Sequence, residues 1–136
     1  MAGPFDWSEQ YSVKVTSLDG QHQRLFSTAD RLQQALGTGN ANSVVDDVLK
    51  QLVQYTITHF AAEETLLRKN GYPELAAHLS EHQALRVKLE LFQKQYAAGD
   101  RKIPGKLMMF LIHWLKGHIL KTDRRYSDFL NSRGVH

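Results

Sequence analysis

Seven histidines are distributed along this 136-residue chain, and four of its polar residues fall into two pairs four residues apart, His59 with Glu63 and His78 with His82. Positions i and i+4 stack one turn apart on a helix face, so each pair can chelate one ion or reach neighbouring ions. One such pair is common by chance. Two, joined by a turn, form a fairly specific pattern. Further ligating residues lie in line with apolar neighbours at spacings of three and four. His22 aligns with Leu25, Ala29, Leu32 and Leu36. His59 and Glu63 continue a stripe of Val48, Leu52 and Tyr55/Thr56 towards Leu66. His78 and His82 sit between Leu75 and a run of Leu85, Leu89, Phe92 and Tyr96. His118 follows Leu107, Leu111 and Trp114. Such spacing places each set on the inward face of a helix.

A single core histidine is usually satisfied by a local hydrogen bond. Five of them with a glutamate, spread over four inward stripes, are a different case. An unpaired buried carboxylate costs several kcal/mol, and these stripes offer few donors or acceptors apart from one another. A bound cation satisfies them together. Asp123 lies five residues after His118, about 140° round a regular helix. It joins the set if it reaches round from the neighbouring row or if a π-type widening realigns i with i+5. Spacing alone leaves it equally able to balance Lys121, Arg124 and Arg125.

The elements that must carry these residues are all helical. Residues 1–17 form an apolar-anchored, extended N-terminal arm with Phe5, Trp7, Tyr11, Val13 and Val15. A first helix starts near Asp19, a plausible N-cap, and runs to Leu36 before a 37–42 loop. The second runs from Asn42 or Ser43 to Lys69 and stops at Asn70-Gly71. Pro73 opens the third, which ends near Ala97. Pro104 opens the fourth, which reaches Ser132. The expected fold is all-α, an antiparallel up-down four-helix bundle over 18–132 in one domain, 1–136. Short turns then bring the second half of helix two level with the first half of helix three, and His22 joins them if helix one runs antiparallel to helix two.

Composition narrows the function. The chain contains no cysteine, which excludes disulfides, iron–sulfur clusters, thiolate zinc sites and cysteine nucleophiles. The longest apolar run, Leu107–Ile112, is too short to span a bilayer, and no secretory signal opens the sequence. A cytoplasmic location is the expectation. The net charge of +3 comes with basic residues interleaved with Asp123 and Asp128, which reads as a solvated helix end rather than a nucleic-acid face.

Laid out together, the pattern H…HxxxE…HxxxH…HxxxxD resembles the hemerythrin family, specifically its single-domain bacterial members. His22, His59/Glu63, His78/His82 and His118/Asp123 match all seven ligand positions. Trp7, Asp19-Gly-Gln-His22 and Trp114-Leu-Lys-Gly-His118-Ile119 resemble the family's flanks. The resemblance implies a non-haem di-iron centre. His78, His82 and His118 would hold one iron, and His22 and His59 the other. Glu63, Asp123 and an oxo or hydroxo group would bridge the two irons. It also settles Asp123 as a ligand and selects iron from the several metals this donor set suits. Two six-coordinate irons offer twelve positions, of which these ligands fill eleven. The vacancy falls on the iron with His22 and His59, where the resemblance implies that dioxygen binds reversibly.

The pocket there should be apolar, with Leu25, Phe60, Leu115 and Ile119 as candidate lining residues. Glu64 and Glu81 adjoin ligands in sequence but face elsewhere, and no metal role is assigned to them. The implied function is dioxygen storage, transport or delivery by a monomer, with an oxygen-consuming enzyme or a signalling protein as possible partner. The alternatives are an oxygen or redox sensor, and a peroxidase, ferroxidase or nitric-oxide-handling enzyme. The enzyme would need a proton donor, for which Tyr55, one turn before His59, is the best candidate.

Overall fold

The computed structural model describes residues 5–136; the first four residues of the arm lie outside that range. Among the described residues there is no β-strand. Helix α1 spans Thr16–Gly37, α2 Ala41–Lys69 and α3 Leu75–Ala97. The fourth rod consists of α4 (Ile103–Gly117), a π-helical segment His118–Asp123, and α5 (Arg124–Ser132). α1 packs on α2, α2 on α3, α3 on α4 and α4 back on α1, which closes the antiparallel four-helix bundle.

Short connections enforce this order. At the end of α2, Gly71 adopts φ +73°. Its N–H bonds Arg68 O at 3.2 Å, and Tyr72 N–H bonds Leu67 O at 2.9 Å. This is a Schellman stop, in which glycine takes the left-handed position at no steric cost. Pro73 lies in the turn that follows and not in the helix. Leu75 N–H bonds Tyr72 O at 3.3 Å, so Pro73 sits second in a β-turn, a position its fixed φ suits, and α3 starts two residues later.

The arm departs from a purely extended strand. It contains a 3₁₀ turn at Glu9–Tyr11 and passes into α1 at Thr16, three residues before the expected start. Asp19 does not cap α1. Its carboxylate accepts from Ser12 Oγ at 2.6 Å and Val13 N at 2.8 Å and so ties the arm to the first turn. Trp7 and Tyr11 pack edge-on against Phe26 at 5.4 and 4.8 Å. Val13 and Val15 join Leu18, Leu67, Tyr72, Tyr126 and Leu130 in a small apolar cluster. That cluster buries Leu67 fully, with Leu66 packed partly buried against it, and Ala35 is buried while Leu36, in the last turn of α1, stays exposed. The larger apolar cluster fills the other end of the bundle, around Leu32, Leu49, Leu89 and Leu107.

Candidate metal centre

The two apolar clusters leave a polar layer between them. His22 enters it from the first half of α1, His59 and Glu63 from the second half of α2, and His78 and His82 from the first half of α3. His118 and Asp123 are the first and last residues of the π segment. Bonding to the fifth residue instead of the fourth widens that turn and brings i and i+5 onto one face, which a regular helix would not do. All seven residues are buried, and Glu63, His82 and Asp123 are 0% exposed.

The seven fall into two groups that share a carboxylate, Glu63 with His78, His82, His118 and Asp123, and Glu63 with His22 and His59. Within each, the candidate donor atoms lie within 4.8 Å of one another. Each carboxylate divides its oxygens between the two sides. Glu63 Oε1 contacts His78 Nε2 and lies 3.0 Å from His82 Nε2. Glu63 Oε2 faces His59 Nε2 at 3.3 Å and His22 Nε2 at 3.6 Å. Asp123 Oδ1 faces His118 Nε2 at 2.8 Å and His78 Nε2 at 3.3 Å, while Oδ2 faces His22 Nε2 at 3.2 Å.

The donor set fits a metal centre. Nε2 of His22, His82 and His118 and both oxygens of Asp123 are shut off from solvent without a hydrogen-bond partner. Buried polar atoms are rarely left so. These are atoms that converge on the space between the groups, where cations would satisfy them. The protein's own charges already complement one another. Burial opposes ionisation of Glu63, but the imidazoles of His22, His59, His78 and His82 around it hold its carboxyl well below the usual range. Burial and Glu63 oppose charge on Asp123, and His118 and His22 outweigh them, bringing it to about 2. Burial likewise opposes protonation of His22 and His118. Asp123 and Glu63, joined at His118 by Glu81, prevail and lift these imidazoles to about 9 and about 10. Burial dominates at His59 and lowers it.

An outer ring of residues orients the imidazoles. His59 Nδ1–H donates to Gln21 Oε1 at 2.5 Å, and His82 Nδ1–H donates to Glu64 Oε2 at 2.8 Å. Arg86 holds Glu64 at 3.3 Å. Glu81 accepts from Thr122 Oγ1 at 2.9 Å and lies 3.8 Å from His118 Nδ1. Glu64 and Glu81 thus face His82 and His118 on neighbouring helices, a placement that their positions beside Glu63 and His82 in sequence conceal. Tyr126 Oη–H donates to Glu63 Oε2 at 2.9 Å and is fully buried. Its place three residues after Asp123 was the available signal. Leu25, Phe60, Leu115 and Ile119 are all buried in the larger apolar cluster. Phe60 lies flat on His82, ring centroids 3.6 Å apart, and 5.7 Å from His59. Trp114 stacks on His118 at 4.3 Å. His113 and His136 are exposed and belong to neither group of candidate donors.

A four-helix bundle with five imidazoles and two shared carboxylates at its centre defines a dinuclear, non-haem metal protein. The hemerythrin HHE cation binding domain matches residues 13–130. The bacteriohemerythrin of Methylococcus capsulatus is 32% identical over 123 residues, which cover 90% of this chain and 93% of that protein. That of Clostridium acetobutylicum is 29% identical, covering 91% and 99%. A crystal structure of wild-type hemerythrin superposes with a TM-score of 0.83 at 32% identity, covering 92% of this chain and 96% of the other. The chain belongs to the hemerythrin family, whose members carry a di-iron centre. Among the described residues no helix is long and apolar enough to cross a membrane.

Proposed function

We propose that this protein binds dioxygen reversibly at a di-iron centre and stores, carries or delivers it, as a cytoplasmic monomer of one domain, without turning it over as an enzyme. The observation that carries the reading is the division of each carboxylate's oxygens between a three-imidazole and a two-imidazole side. In this reading His78, His82 and His118 hold one iron, His22 and His59 hold the other, and Glu63 and Asp123 bridge them. The irons, when bound, supply the electrons that dioxygen accepts and returns.

The chain's own residues set the conditions for reversibility. Unequal imidazole numbers leave the open position on the side of His22 and His59. Gln21 and Glu64 keep a proton on Nδ1 of His59 and His82 and leave Nε2 free to ligate. Leu25, Phe60, Leu115 and Ile119 exclude water from the site. Imidazole ligands outnumber carboxylates, so the centre carries less anionic charge than the Glu-rich di-iron bundles, and full O–O cleavage is less favoured. Tyr126 Oη–H points at Glu63 and is already engaged, so it is not available to protonate a bound ligand.

The test is anaerobic reduction of the iron-loaded protein, exposure to air and purging with argon, followed in the visible spectrum. A charge-transfer band that appears with air, disappears on purging and returns with air supports the reading. A band that never forms, or that decays at once to the ferric state, moves the assignment to an enzyme or redox sensor.

A further inference from the structure

Tyr55 carries a polar atom that nothing in the bundle satisfies. Its ring stacks on His59, centroids 5.2 Å apart and 24° from parallel. Its hydroxyl is closed to solvent and has no hydrogen-bond partner. Other tyrosine hydroxyls are engaged: Tyr126 donates to Glu63 and Tyr96 to Asn42 O, both at 2.9 Å, and Tyr72 to Glu74 at 3.3 Å. The neighbouring Thr56 satisfies its own hydroxyl on Val53 O at 2.7 Å. A buried hydroxyl left alone among satisfied ones calls for an explanation.

Its position supplies one. The Tyr55 ring forms a wall between His59 and a surface groove between α1 and α2 lined by Arg24, Thr28, Lys50 and Thr58. The groups that act electrostatically on the hydroxyl are Arg24 on the groove side and the Glu63 and Asp123 carboxylates on the side of the centre. His59 has its Nδ1 tied to Gln21, and His22 Nδ1, though also unpartnered, lies across the ring from the Nε2 that faces the carboxylates. Glu63 and Asp123, when ionised, can only accept. Leu25, Leu115 and Ile119 have nothing to donate. On the two-imidazole side Tyr55 therefore offers a hydroxyl donor not already spoken for.

We propose that Tyr55 donates a hydrogen bond to the small exogenous ligand at the two-imidazole side, an electronegative diatomic or triatomic species such as dioxygen or azide. The proposal rests on the oxygen-binding reading for where the ligand sits. A ligand that gains negative charge on binding becomes a strong acceptor, and a donor in a water-poor site is most effective towards such an acceptor. Stacking on His59 fixes the phenol against the ligand imidazole, so the donor is positioned before the ligand arrives. Nothing is transferred in this step: the proton stays on the phenol oxygen and is shared with the ligand.

The experiment compares azide affinity of the diferric wild-type protein with that of Tyr55→Phe, which keeps the stacked ring and removes one oxygen. Iron content and far-UV circular dichroism establish that the variant is intact. Azide binding is expected to weaken about tenfold or more, as for loss of a hydrogen bond to a charged acceptor. Protein with 3-fluorotyrosine at position 55 gives a second reading that does not depend on the Phe variant's fold, and its ¹⁹F resonance is expected to move when azide is added. Equal azide affinity in wild type and variant, or an unmoved resonance under saturating azide, overturns the proposal. If wild type binds azide but shows no reversible oxygen band, the oxygen-binding reading fails, while the azide comparison still decides the role of Tyr55.

Discussion

Replacing Tyr126 with Phe isolates one bond of the centre. The hydroxyl donates to Glu63 Oε2 at 2.9 Å, and both residues are 0% exposed. The substitution removes one oxygen and no carbon, so the cavity term is small and no solvent reaches the vacated carboxylate oxygen. A hydrogen bond to a charged group contributes about 1.5–3 kcal/mol. For a domain of this length each kcal/mol moves the melting midpoint by about 3–5 °C, so the metal-free variant should melt about 5–15 °C below metal-free wild type. In the metal-loaded protein the same oxygen gains a cation as partner, and the gap between variant and wild type should narrow. The assay is thermal unfolding by far-UV circular dichroism of both proteins with and without metal. Metal-free midpoints that coincide, or a gap that widens on loading, would refute the reasoning.

Four further outcomes follow from the same geometry. In the metal-free protein His22 and His118 titrate near 9 and 10 and are protonated at neutral pH, whereas imidazole must be neutral to ligate. Loading a divalent metal at neutral pH should therefore release protons, and affinity should rise as pH approaches these values. Calorimetry in buffers of different ionisation enthalpy measures this, and loading without proton release contradicts it. With raised folded values, these imidazoles stabilise the metal-free fold most fully below their ordinary range, and that contribution is lost as pH rises through about 9 to 10. Glu64→Ala frees His82 Nδ1 and should weaken metal binding about 10–100-fold in chelator competition; unchanged affinity would remove Glu64 from the support of the site. His59→Ala should shed the two-imidazole iron before the three-imidazole one, and equal loss of both on metal analysis counts against the assignment.

The helices, and six of the seven residues that the fold brings together at its centre, were legible from spacing along single helices, while Asp123 joined them only through the family resemblance. His59/Glu63 and His78/His82 announce themselves at i,i+4, and glycine at the end of α2 marks its stop. What was not legible depends on how neighbouring helices rotate against one another. Gln21 meets His59 thirty-eight positions away, and Glu64 meets His82 eighteen away; neither separation has a local signature. Asp19 has the chemistry of an N-cap, yet the arm offers Ser12 and Val13 as competing donors and the helix begins earlier. Leu66 and Leu67 are equally apolar, and the packing that buries Leu67 beside Val13 and Val15 while leaving Leu66 half-buried against the same cluster has no local signature.

The five-residue step from His118 to Asp123 links these two kinds of information. Read as α-helix it separates the two side chains by about 140°, so either Asp123 is no ligand or the backbone must widen. The π segment at His118–Asp123 resolves this, and its effect extends beyond Asp123. One extra residue in a turn rotates everything after it by about 100° relative to an uninterrupted α-helix. The inward placement of Tyr126, Ser127 and Leu130 therefore depends on the wide turn. Tyr126 holds Glu63, and Ser127 Oγ donates to Val13 O at 2.5 Å. Leu130 completes the apolar cluster with the arm. The same local widening that turns a carboxylate into the centre sets the register that fastens the arm over the end of the bundle, so site geometry and closure of the fold are two consequences of a single inserted residue.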